Sequence, residues 1–195
     1  MKILGIETSC DECAAAVVED GRIIHSNIIA TQIAEHTPYM GVVPELASRL
    51  HTQWIIPTVD EALTVAGIKA EELDAVAVTN RPGLLGSLLV GLSFAKGFAA
   101  THSIPLITID HIRAHLYAPQ MENPLAYPYL GVLVSGGHTV LARVDGYVLF
   151  VHGAIPGDRV RVKVTKTKRD YGEAITTAVI EASPDRIAPV GAGLD

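Results

Sequence analysis

Two histidines four residues apart, in His111-Ile112-Arg113-Ala114-His115, carry the sharpest chemical signal in the chain. On a helix, positions i and i+4 share one face, so both imidazoles can bind one metal ion. A zincin-type protease needs glutamate directly after the first histidine, and Ile112 stands there, so that chemistry is excluded. Two imidazoles leave the coordination shell open, and a further ligand has to come from elsewhere. A second polar stretch, Glu7-Thr8-Ser9-Cys10-Asp11-Glu12-Cys13, separates two apolar runs. Its hydroxyls and backbone N–H groups can cradle phosphate, and Asp11 with Glu12 can hold a cation or take a proton; a solvated hairpin loop explains the same composition. A third, Arg81-Pro82-Gly83-Leu84-Leu85-Gly86, can present N–H groups to an anion. It lacks P-loop spacing and a lysine after its glycines, and tight turn geometry accounts for it equally well. The fourth is Val134-Ser135-Gly136-Gly137-His138-Thr139. Its glycine pair lets a ligand approach the backbone, with Ser135, His138 and Thr139 as hydrogen-bonding side chains; a hairpin turn satisfies it too.

The elements that must position these groups alternate between strand and helix. Lys2 to Glu7, Ala14 to Val18 and Ile23 to Ile29 read as three antiparallel strands, the last two joined by a tight turn at Asp20-Gly21. Pro44 suits a first helical turn, and Leu46, Leu50 and Trp54 recur at four-residue spacing behind it. Pro57 is expected to break or restart that helix, Val59, Leu63 and Ala66 to continue its apolar face, and Gly67 to end it. Asp74 to Thr79 is a strand by composition, Leu84 to Ala100 a small-residue-rich helix, and Pro105 to Ile109 a strand. His111 to Met121 is then helical and Leu130 to Ser135 a strand. The order βββαβαβα is an α/β domain with a mixed sheet.

Length and composition narrow the class further. The chain has 195 residues, 49% of them hydrophobic, which excludes disorder and collagen-like structure. Cys10 and Cys13 are its only cysteines, so a disulfide scaffold is excluded and a reducing cytoplasm is expected. No secretory signal is visible at the amino terminus. The longest uncharged run, Asn123 to Ala142, is interrupted by Pro124, Pro128 and Gly136-Gly137 and reads as loop and strand, so no membrane association is expected. Charge is unevenly spread. Residues 1–141 carry a net −7 and residues 142–195 a net +1, with Arg159, Arg161, Lys163, Lys166, Lys168 and Arg169 in an acid-free run.

Taken together and in order, the motifs of the first part resemble the catalytic subunit of the tRNA threonylcarbamoyladenosine synthase, the TsaD family. The resemblance runs from Met1 to about Thr139 and rests on Gly5-Ile6-Glu7-Thr8-Ser9-Cys10-Asp11-Glu12, on Gly41-Val42-Val43-Pro44-Glu45-Leu46-Ala47-Ser48-Arg49, on Pro82-Gly83-Leu84 with Gly91-Leu92-Ser93-Phe94-Ala95-Lys96, on the histidine pair, and on Val134 to Thr139. It implies an actin-like ATPase (ribonuclease H-like) first lobe. It implies transfer of a threonylcarbamoyl group from threonylcarbamoyl-AMP to N6 of adenosine 37 in tRNAs reading A-starting codons. His111 and His115 would be ligands of a divalent metal, Fe2+ or Zn2+. Val134, Ser135, Gly136, Gly137 and His138 would contact the adenylate, and Asp11 and Glu12 would be the acids near the reaction centre. tRNA, a small paralogous subunit and its ATPase partner are the implied partners. The chain departs from the family at Arg81, at Cys13 and at Arg113-Ala114 between the histidines, none of which removes a ligand.

Beyond about Thr139 the resemblance stops, and the second lobe that would complete the metal site is not seen. Residues 142–186 instead resemble a TRAM domain, an OB-like RNA-binding appendage, around Gly153-Ala154-Ile155-Pro156-Gly157-Asp158-Arg159-Val160. In Arg159-Val160-Arg161-Val162-Lys163-Val164 basic and apolar residues alternate at period two, which buries one strand face and turns the other outward. Such a face meets phosphates, with Lys166, Lys168 and Arg169 extending it and Phe150 or Tyr171 as stacking surfaces; a solvated basic strand is the alternative. The expected organisation is a lobe over 1–140, a small antiparallel barrel over 141–189 and a flexible tail over 190–195. The expected activity is that of a tRNA-modifying transferase, truncated and inactive alone. A non-catalytic tRNA-binding scaffold and a rearranged gene fragment are the alternatives.

Overall fold

A computed structural model describes the backbone of residues 1–126, 129–134, 139–144, 148–154, 158–167, 171–182 and 184. Side chains are described within those ranges except at residues 122, 129–134, 139–144, 148–150, 159 and 171. The chain divides into two compact units, Met1–Glu122 and Asn123–Asp195. The division falls upstream of residue 140 because Tyr129–Val134 pairs antiparallel with Thr139–Val144 and so joins the second unit's sheet.

The first unit is an α/β layer. Its sheet runs in the order β3-β2-β1-β4-β5, with β1 (Lys2–Glu7), β2 (Glu12–Glu19), β3 (Ile23–Thr31), β4 (Ala75–Arg81) and β5 (Leu106–Asp110). The first three strands are antiparallel, whereas β1, β4 and β5 run parallel, so the sheet is mixed as expected. Asp20 and Gly21 both take positive φ, the conformation that a two-residue hairpin matching strand twist requires. After a short α1 (Ile33–His36), α2 (Pro44–Ala66) and α3 (Leu85–His102) pack on the sheet. Leu4, Ile6, Val17, Ile55, Val59, Val76, Val78 and Ala95 form the centre of the core beneath them. α4 (His111–Tyr117) and α5 (Pro119–Glu122) follow β5.

α2 differs from its sequence reading in two ways. Pro57 lies inside one continuous helix instead of dividing it. One lost hydrogen bond is outweighed there by burial of Ile55, Thr58, Val59 and Ala62. The deepest stripe is Ala47, His51 and Ile55, one residue beyond Leu46, Leu50 and Trp54, which are only half-buried.

The second unit is a sheet in the order β6-β7-β8-β10-β9, from β6 (Tyr129–Val134), β7 (Thr139–Val144), β8 (Val148–His152), β9 (Arg159–Thr167) and β10 (Tyr171–Glu181). β10 runs parallel to β8 and antiparallel to β9. Among the described residues β6 and β9 are free edges, so the strands make an open sheet and not the closed OB-like barrel expected. Its core is small: Val151, Ala154 and Ala174, with Val160 and Val162 packed against them. The period-two alternation therefore holds from Val160 to Lys163, with Arg161 and Lys163 exposed. It fails at Val164, which is exposed, because a register shift sets Ala174 opposite Val164 and Glu173 opposite Lys166. Residues 190–195 lie outside the described residues. No described helix is long and apolar enough to cross a membrane.

Candidate functional site

The site grows from the carboxyl ends of three adjacent parallel strands, the usual place for ligands on such sheets. Ile6 of β1 pairs with Val78 of β4, and Thr79 of β4 with Ile109 of β5, so Glu7, Thr79 and the start of α4 arrive side by side. Asp110 caps α4, its carboxylate accepting from the Arg113 N–H at 3.2 Å, and this puts His111 at the first helical position. Asp110 also pairs with Arg81 at 3.5 Å.

The turn after β1 is pressed against the start of α3. Ser9 accepts the Leu84 N–H through its carbonyl at 2.7 Å, and the Thr8 hydroxyl donates to the Ser87 carbonyl at 2.9 Å. Gly83 and Gly91 make this possible. A Cβ at Gly83 would strike the Ser9 backbone, and one at Gly91 would strike the Thr8 hydroxyl. The motif at 81–86 is thus a close-packing device, consistent with the turn-geometry reading.

His111 and His115 do converge. Their Nε2 atoms stand 3.2 Å apart and the rings meet edge-on, with centroids 4.5 Å apart. Nitrogen ligands about 2.0–2.1 Å from a tetrahedral cation stand roughly 3.3–3.4 Å apart, so the pair fits one divalent ion. His115 is exposed, which leaves the remaining coordination positions open to solvent. Among the described residues no group of three or more His, Cys, Asp or Glu side chains forms a metal cluster.

Sequence reading alone missed the group behind the pair. Glu7 Oε2 lies 3.3 Å from His111 Nδ1, and Ser9 Oγ lies 3.2 Å from the same nitrogen. The Glu7 carboxylate also accepts the Ser9 N–H and the Thr79 hydroxyl. Burial pushes the Glu7 carboxyl up, but the hydrogen bonds from His111, Ser9 and Thr79 outweigh it and hold it at about 2. The Glu7 hydrogen bond raises His111 against the opposing effect of burial, whereas burial and the His111 charge lower His115. The two imidazoles are thereby driven apart in basicity. In the sequence Glu7 appears as the first residue of the polar stretch Glu7 to Cys13, with nothing local to pair it with His111.

Asp11 and Glu12 sit on the neighbouring turn, Asp11 half-buried and Glu12 exposed. The Glu12 charge acts on His115 together with that of Glu7. The turn is held from beneath by His51, whose Nε2 lies 2.9 Å from the Cys10 carbonyl, and by the Gln32 N–H donating to the Asp11 carbonyl at 3.0 Å. His51, Gln32 and His36 are buried, and burial lowers the His51 imidazole. Burial and Asp11 push the Cys10 thiol up to about 11, which disfavours its thiolate. Val134 ends β6, while Ser135, Gly136, Gly137 and His138 lie outside the described residues. Arg161, Lys163 and Lys166 are exposed, Lys166 paired with Glu173 at 2.8 Å. The Arg159, Phe150 and Tyr171 side chains lie outside what is described, as do Lys168 and Arg169 altogether.

Fold and site together define an α/β protein with a carboxylate-backed histidine pair at the carboxyl edge of its parallel strands. The chain belongs to the TsaD family, described as tRNA N6-adenosine threonylcarbamoyltransferase, whose profile matches residues 23–171. The match continues past Thr139 into the segment with the basic strand. The tRNA N6-adenosine threonylcarbamoyltransferase of Treponema denticola is 59% identical over 147 residues, covering 75% of this chain and 44% of that protein. The same-named protein of Borreliella burgdorferi is 56% identical over 147 residues, covering 75% of this chain and 42% of that protein. The chain thus spans less than half the length of these relatives. A solved structure, YeaZ from Pseudomonas aeruginosa, aligns with a TM-score of 0.49 at 20% identity, covering 80% of this chain and 71% of that one.

Proposed function

We propose that this chain acts in the transfer of a threonylcarbamoyl group from threonylcarbamoyl-AMP to N6 of adenosine 37 in tRNAs reading A-starting codons, as the actin-like first lobe of the transferase. The observation that carries the reading is the 3.2 Å approach of the His111 and His115 Nε2 atoms in front of a half-buried carboxylate, in a member of this family. In this reading the pair holds Fe2+ or Zn2+. A bound ion would polarise the carbamoyl and phosphate oxygens and so ease departure of AMP. The chain's own residues do the rest. Glu7, Ser9 and Thr79 keep His111 oriented. Asp11 and Glu12, on a turn fixed by His51 and Gln32, would accept the proton that N6 loses. Family resemblance assigns the adenylate to Val134, Ser135, Gly136, Gly137 and His138.

Arg161 and Lys163, exposed on an edge strand, support contact of the second unit with tRNA phosphates in this account. The protein works in the cytoplasm with tRNA, a small paralogous subunit and its ATPase partner. Two imidazoles hold an ion weakly without further ligands, so the chain alone should give little or no modified tRNA. The test is incubation with tRNA, threonine, bicarbonate, ATP and the partner proteins, with modified adenosine read by mass spectrometry. Full activity that survives His111→Ala together with His115→Ala would overturn the assignment. Salt-sensitive tRNA binding without bound metal would instead favour the scaffold reading, which the exposed basic strand supports by itself.

A further inference from the structure

We propose that Glu7 is the positioning residue of the histidine pair: its carboxylate accepts the Nδ1–H of His111 and so turns the Nε2 lone pair of that ring towards His115. The inference deepens the metal reading above and rests on it for its consequence, though not for its geometry. The carboxylate is itself fixed from two sides, by the Ser9 N–H of its own turn and by the Thr79 hydroxyl on the adjacent strand. Both are donors, so the oxygens act as acceptors, and the ring nitrogen facing Oε2 at 3.3 Å has to be the one that carries hydrogen. Ser9 Oγ, 3.2 Å from the same nitrogen, is a second acceptor for that hydrogen. A neutral imidazole protonated at Nδ1 has its free lone pair at Nε2, the atom that faces His115 Nε2. Glu7 lies behind the ring, on the side away from the facing Nε2 atoms, so it orients His111 without itself reaching an ion between them.

The arrangement also explains why the site needs three separate segments. Glu7, Thr79 and His111 come from three stretches of chain far apart in sequence, yet the parallel register of β1, β4 and β5 sets them in one row. Metal-binding histidines backed by a carboxylate characteristically lose affinity when that partner is removed.

The experiment uses the full chain. Long-range 1H–15N spectra of the metal-free protein, recorded at a pH high enough to leave His111 neutral, read its tautomer, and chelator competition reads Zn2+ affinity. The wild type should show His111 as the Nδ1–H tautomer. Glu7→Gln should mix the tautomers and weaken Zn2+ about 10- to 100-fold, and Thr79→Val should do so to a smaller extent with the carboxylate retained. An Nε2–H tautomer in the wild type overturns the proposal, and so does folded Glu7→Gln with Zn2+ affinity within about twofold of wild type. A wild type locked as Nδ1–H that binds no Zn2+ supports the role of Glu7 and removes the metal reading instead.

Discussion

The two units of the chain handle polar groups in opposite ways. In Met1–Glu122 the functional polar groups lie inside or at the edge of a helix-covered sheet, each tied to a partner from a distant segment: Glu7 to Thr79 and His111, Thr8 to Ser87, His51 to Cys10. In the second unit the described basic side chains Arg161, Lys163 and Lys166 lie on an exposed edge strand over a core of a few aliphatic side chains. The first arrangement orients atoms to within a bond length and suits chemistry. The second supplies charge density with little orientation, which suits attraction of a polyanion.

The largest expected effect that sharpens this contrast is in packing. Leu4→Ala, at a fully buried site, should cost about 2–5 kcal/mol, whereas Val151→Ala in the small core of the second unit should cost about 1–2 kcal/mol. Denaturant unfolding with hydrogen exchange resolved by segment reads both. Gly91→Ala forces a Cβ onto the Thr8 hydroxyl and should cost about 1–3 kcal/mol, reported by weaker exchange protection in the turn after β1.

Next comes pH. Glu7 falls from 4.5 in the unfolded chain to about 2 in the fold, so its contribution is present above 4.5 and lost as pH falls towards 2. His111 is raised, so its contribution is full below 6.5 and fades as pH rises through its folded value. His51 and His115 are lowered and behave in the reverse sense, their contribution fading as pH falls below 6.5. Urea midpoints between about pH 2 and 5 should therefore drop steeply for the wild type and less steeply for Glu7→Gln. Equal slopes would contradict the carboxylate network.

The smallest effect concerns the basic strand. Arg161→Glu with Lys163→Glu should reduce the salt slope of tRNA binding by roughly 0.7–0.9 for each phosphate no longer neutralised. Lys166→Glu should change it less, because Lys166 is already paired with Glu173. Unchanged binding by the double variant would show that the second unit's charges are not an RNA surface.

Sequence captured what is local. The Asp20-Gly21 hairpin, the start of α2 at Pro44, its end at Gly67 and the i, i+4 histidines all depend on neighbours within a few residues. What it missed is non-local. Glu7 reads as a charge at a strand end until parallel pairing brings Thr79 and His111 beside it. The buried stripe of α2 runs through His51 and not through Leu50, and His51 reaches the Cys10 carbonyl 41 residues away. Pro57 is tolerated within α2 because the sheet beneath rewards a continuous helix. The exposure of Val164 follows from a register shift set by β10, which a strict period-two reading of β9 omits.

The central claim is that one helical turn of α4 presents a two-imidazole site for a divalent ion. Co2+ titration of the purified chain, followed by visible absorption and elemental analysis, tests it most directly. The account predicts one ion per chain with a ligand-field band, both absent when His111 and His115 are changed to alanine. An unchanged spectrum and metal content in that double variant would contradict it, as would a wild type that takes up no ion.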